Sequence, residues 1–160
     1  MTPARAIDNP IEGLPPLDEH GIQIDAPSEV VWPAMIAAVR KTLGHPTNAR
    51  LVRGLGSEEF EIDKNFPAIG STLPGFIVAR VIGPAVLALE GEHDYARYAL
   101  VFVLDPLPDE RTLLRAQTRA DFKGVRGKAF RRLTIGTHAH GALLRQILRK
   151  ARRQAERNAS

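Results

Sequence analysis

The sequence predicts an α+β domain: a curved seven-stranded antiparallel sheet wrapped around a long C-terminal helix, with two short helices after the first strand. Three observations carry this. The last stretch, Ala129 to about Ala155, has no proline and an apolar stripe at helical spacing. Thr112–Phe122 alternates strictly, Leu114, Ala116, Thr118, Ala120 and Phe122 against Arg115, Gln117, Arg119 and Asp121, so one face is inside and the other outside. Between the first strand and that helix the apolar runs are short and closely connected, which implies antiparallel pairing.

In chain order, Met1–Asp18 reads as an extended lead-in, because Pro3, Pro10, Pro15 and Pro16 oppose helix and central strand. One domain is expected over residues 19–156, with a flexible tail over 157–160. Gly21–Ala26 alternates as a strand with one wet face. Ser28 is the expected N-cap of a first short helix through Trp32, and Pro33 opens a second, Ala34–Leu43, closed by Gly44. Ala49–Leu55 and Glu58–Lys64 read as a hairpin about Gly56-Ser57, and Phe66–Pro74 as a loop. Phe76–Ile82, Val86–Glu92, Tyr95–Leu104 and Thr112–Phe122 complete the strands, and Gly124 and Gly127 lead into the final helix.

That helix, roughly 40 Å long, places Phe130, Leu133, Thr137, Gly141, Leu144, Leu148, Ala151 and Ala155 on one stripe. The stripe is small at Thr137 and Gly141. Ala116, Thr118 and Ala120 are the small residues expected across from them, and small facing small predicts a cavity between sheet and helix.

Composition narrows the function. The 160 residues hold no cysteine, which excludes disulfides, thiolate catalysis and Cys-ligated metals. No run is long and apolar enough for a signal peptide or a membrane span, so a cytoplasmic protein is expected, without membrane insertion. The net charge of +4 is uneven: residues 1–110 are net −8 and residues 111–160 net +12. The basic C-terminal part reads first as the solvated helix face and second as an interaction surface for an anionic partner. Nucleic acid is not expected there, because no aromatic side chains interleave with the basic ones.

No cofactor motif is present: Gly54-Leu55-Gly56 lacks a third glycine and a following helix. No metal site is expected, since His138 and His140 lie about 200° apart on a helix. Glu58, Glu59 and Glu61 read as solvated. Glu90 and Glu92 share a strand side next to His93, an acid–base site if inward and surface if outward. Candidate ligand-binding residues are Phe66 and Ile69 in the proline-bounded loop, then Tyr98, Ala116, Thr118, Leu133, Thr137, His140, Gly141 and Leu144. Tyr98 has a polar tip that a ligand can satisfy, and His140 stands at the edge of the stripe.

The start Ile22-x-Ile24-x-Ala26-Pro27-Ser28-Glu29-Val30-Val31-Trp32, the run Arg97-Tyr98-Ala99-Leu100-x-Phe102-x-Leu104 and the closing amphipathic helix resemble the START-like (SRPBCC, Bet v 1-like) superfamily, in its polyketide cyclase/dehydrase-like branch. The resemblance covers roughly residues 21–155. It implies the helix-grip fold and a pocket for an apolar or aromatic small molecule or lipid. A carrier or sensor is the first expectation. An enzyme of cyclase/dehydratase type, moving protons through His140 or Tyr98, is the alternative. Oligomeric state is not legible.

Overall fold

The computed structural model describes residues 13–58, 61–136 and 139–160, with the side chains of 133–136 and 139 outside the description. Its elements are β1 (Pro16–Ile24), α1 (Ser28–Leu43), α2 (Pro46–Gly54), β2 (Thr72–Leu73), β3 (Phe76–Ile82), β4 (Val86–His93), β5 (Ala96–Leu107), β6 (Arg111–Phe122), α3 (Gly124–Gly136) and α4 (Ala139–Ala159). The strands form one antiparallel sheet in the order β1-β6-β5-β4-β3-β2. Among the described residues six strands stand where seven were expected: the pair expected over 49–64 is not found, and the expected loop adds β2.

Of the expected strand Ala49–Leu55, all but the capping Leu55 is helical, not extended. Pro46 occupies the first turn of α2, and the His45 side chain caps it, Nδ1 accepting from the Thr47 N–H at 3.2 Å. A proline there costs no helical hydrogen bond and presets φ. Asn48 Nδ2 donates to Leu43 O at 2.7 Å and to Pro74 O at 3.3 Å, tying α2 to the end of α1 and to the β2–β3 turn. Glu61–Lys64 is bend and turn, and Glu59 lies outside the described residues. The expected loop supplies β2, joined to β3 by the Pro74-Gly75 turn, where φ of +83° at Gly75 suits glycine.

The two helices expected from residues 29–43 are the single helix α1. Pro33 is inside it on the exposed side, where water can serve the carbonyl that loses its partner. Pro27, not Ser28, is the N-cap residue. Ser28 Oγ instead lies 3.3 Å from Thr112 Oγ1, which donates to Ala26 O at 2.8 Å, so these buried hydroxyls seal the start of α1 onto β6. The first strand begins at Pro16, within the expected lead-in, and tolerates that proline at the sheet edge. The last helix runs to Ala159, through most of the expected tail.

The main core joins α1 and α4 to the concave sheet face. Leu144, Ile147, Leu148 and Ala151 of α4 pack with Met35, Leu87, Phe102 and Leu114. A smaller cluster, Leu14 with Ala88 and Ala99, sits on the opposite sheet face. Glu90 pairs in register with Ala99 on that face, so Glu90 and Glu92 point away from the core. Glu92 accepts a hydrogen bond from Lys123, whose ammonium holds its carboxyl below the ordinary range.

Candidate functional site

β5 and β6 run in register from the core to an open end. Leu104 opposes Leu114 and Phe102 opposes Ala116; farther along, Leu100 opposes Thr118, Tyr98 opposes Ala120 and Ala96 opposes Phe122. Toward that second end the sheet offers small or polar-tipped residues. α2 stands over it on one side and α3 on the other, leaving a cavity of about 750 Å³. This is within the roughly 300–1,000 Å³ of small-molecule sites. Leu51 of α2 lines it while 60% exposed, which marks the mouth.

The deep wall is aromatic. Tyr98 meets Phe76 edge-on with centroids 5.3 Å apart, and His93 lies 5.3 Å from Tyr98 and 5.1 Å from Phe130. Phe130 in turn stacks on Tyr95 at 5.3 Å. The Tyr98 hydroxyl donates to Gly75 O at 2.7 Å. Gly91, its cross-strand partner, makes this reach available: a Cβ there would stand 2.0 Å from Gly75 O and 2.6 Å from the Tyr98 ring. His93 Nδ1 accepts from the Tyr95 N–H at 3.1 Å. In the neutral ring the proton is therefore on Nε2. Burial, with Lys123 adding and Asp94 opposing, pushes the His93 imidazole below its ordinary value.

A second polar group stands where β1, β6 and α4 meet. His140 Nε2 is 2.7 Å from Thr118 Oγ1 and 3.8 Å from Asp18 Oδ1, and Asp18 Oδ2 is 3.2 Å from His20 Nε2. Burial pushes the His140 imidazole below its ordinary value; Asp18 opposes this and His20 adds to it. Thr118 and Asp18 both address Nε2, so they do not form a hydroxyl–imidazole–carboxylate relay, which needs opposite ring nitrogens. Among the described residues no group of three or more His, Asp or Glu is placed to hold a metal ion, and no helix is long and apolar enough to cross a membrane.

No protein-family model and no curated protein matches the sequence. Solved structures match the fold at low identity. The Zhui aromatase/cyclase of a Streptomyces species is 17% identical with a TM-score of 0.55, over 89% of this chain and 94% of that one. A Thalictrum norcoclaurine synthase point mutant in complex with a transition-state analogue is 13% identical with a TM-score of 0.58, over 89% and 95%. The di-domain aromatase/cyclase StfQ from the steffimycin biosynthetic pathway is 12% identical with a TM-score of 0.59, over 89% of this chain and 51% of that one. The chain shares the helix-grip fold of these structures.

Within this helix-grip domain the cavity takes in Tyr98, Thr118 and His140 of the sequence candidates. It does not take in the others that are described. Phe66, Ala116 and Leu144 are core residues, and Ile69 is 71% exposed away from the cavity. At Gly141 a Cβ would meet Arg145 and the His20 ring, so this glycine faces β1 and not the cavity. Thr137 and the Leu133 side chain lie outside the described residues. Of the expected small residues that are described, the cavity therefore keeps Thr118 and Ala120, leaves out Ala116 and Gly141, and extends toward α2 and α3. His93, Phe76, Phe130 and the whole of α2 were missed as wall. Phe130 was legible on the helix stripe, and Pro46 at a first-turn position was the overlooked mark of α2.

Proposed function

We propose that this domain binds a hydrophobic or aromatic small molecule in the cavity between α2, α3, α4 and the open end of the sheet, as a carrier or sensor. The observation that carries the reading is the 750 Å³ cavity itself, largely apolar, with a few convergent polar groups at Tyr98, Thr118 and His140. Such a pocket orients an apolar body by a small number of hydrogen bonds. The test is fluorescence titration with a neutral polycyclic probe, the methyl ester of pyrenebutyric acid. Saturable one-to-one binding is expected, abolished in Ala120→Phe, which fills the space beside Tyr98. Unsaturable binding, or equal binding in the filled variant, refutes it.

The second reading is cyclase-type chemistry in the same cavity. Two wall imidazoles pushed below their ordinary value by burial, His93 and His140, together with the Thr118 hydroxyl, favour it. Proton transfer to or from a reacting carbonyl needs groups of this kind. Turnover of a poly-β-ketone substrate, falling at least about a hundredfold in His140→Gln or His93→Gln, would place this reading above the carrier.

A further inference from the structure

The cavity wall has a charge pattern that the apolar reading leaves unused. Among the described residues lining it, the basic side chains are Lys41, His45, His93, His140 and Lys150, and none of the lining side chains is a carboxylate. In a chain with 18 Asp and Glu against 22 Lys and Arg, this one-sidedness is local. The two lysines are close to α2. Lys41 is exposed on the last turn of α1, and half-buried Lys150 of α4 reaches across so that Nζ lies 3.3 Å from Thr42 Oγ1. The N-terminal turn of α2, at Thr47 and Asn48, lines the same mouth and presents the positive end of a helix dipole. The opposing negative end of α1 is muted: Arg40, Thr42 and Leu43 carbonyls accept from Gly44 N, His45 N and Asn48 Nδ2. Carboxylates stand behind the wall imidazoles and not at the mouth: Asp94 acts on His93, and Asp18 lies by His140, ten residues or about 15 Å along α4 from Lys150.

We infer that the ligand is an amphipathic anion: an apolar acyl or polycyclic body seated against the aromatic wall, with one carboxylate, phosphate or sulfonate held at the mouth by Lys150 and Lys41. This rests on the cavity reading and specifies its ligand class. A neutral ligand leaves the two ammonium groups without a counter-charge from the cavity lining, where Lys150 has the neutral Thr42 hydroxyl and the α2 N-terminus the His45 cap. An anion gains charge-assisted hydrogen bonds to half-buried Lys150 and exposed Lys41.

The experiment compares pyrenebutyrate with its methyl ester on the intact chain. The acid should bind about tenfold more tightly, and its advantage should shrink with rising salt. Lys150→Met should remove most of that advantage, and Lys41→Met part of it. Ester binding should persist in both variants and reports that the fold and cavity are intact. Equal affinity of acid and ester, or a preference that survives in the double lysine variant, overturns the anion assignment while leaving the cavity reading standing. Failure of both probes to bind overturns the two together. Displacement of bound pyrenebutyrate by dodecanoate but not by neutral dodecanol supports the anionic head, and equal displacement by both overturns it.

Discussion

The two ends of β5 and β6 are built from the same alternating pattern yet do opposite work. At one end Phe102 and Leu114, both fully buried, share one core with Leu144, Ile147 and Leu148 of α4. At the other, Ala96, Thr118 and Ala120 face a cavity over which α2 and α3 stand apart. Strand register is continuous across the junction, so the sheet does not change course. What changes is side-chain volume on the inward face and the identity of the covering element. A helix-grip sheet can thus fold on one half of its concave surface and leave the other half for a ligand.

The largest effect should come from hollowing the filled end. Phe102→Ala should cost about 3–5 kcal/mol in denaturant unfolding, because the dense surroundings cannot collapse onto the gap. A loss below about 1 kcal/mol would mean that this end is loosely packed and the contrast is false. Next comes a matched pair of additions on one strand. Ala116→Leu at the filled end should overpack and cost about 1–3 kcal/mol. Ala120→Leu, two register steps away in the cavity, should leave the melting temperature nearly unchanged and weaken probe binding. Equal penalties would erase the distinction between the ends.

The sheet pattern and the core side of α4 were legible because alternation and the 3.6-residue period report burial directly. Thr112–Phe122 is buried at every second position from Thr112 to Ala120, and Leu144, Leu148, Ala151 and Ala155 of the expected stripe are core. The cavity lies between sheet and C-terminal helix with Thr118, Ala120 and His140 on its wall, but Gly141 is not part of it, for a physical reason. Small residues on a helix show that something comes close, not whether it is space or a neighbour; at Gly141 it is the His20 ring. Residues 49–55 were misread because Leu51 and Val52 suit a strand as well as a helix, while His45 and Asn48 stabilise α2 through contacts no local period shows. The outward placement of Glu90 and Glu92 followed from register, which the sequence left open as two alternatives.

A smaller effect is expected at the aromatic wall. Tyr98→Phe removes the donor to Gly75 O and should cost about 0.5–1.5 kcal/mol, with the β2–β3 turn exchanging amide protons faster. No change in stability or exchange would separate this hydroxyl from the turn it is placed to hold. The smallest effect is in pH. Both imidazoles are held below their ordinary value mainly by burial, so the fold resists protons that the unfolded chain accepts near 6.5. Stability should be level above that pH and fall as the pH drops below it. The fall should be shallower in His140→Gln and in His93→Gln. A slope unchanged in both variants would assign it to other groups.

The most direct test is a backbone amide NMR titration with the methyl ester of pyrenebutyric acid. Large shifts are expected at Val52, Ala96, Tyr98, Ala120 and Phe130, with Phe102, Leu114, Leu144 and Leu148 nearly still. Shifts centred on the exposed arginines of α4, or spread evenly over both ends of β5 and β6, would contradict a sheet divided into a filled half and a ligand half.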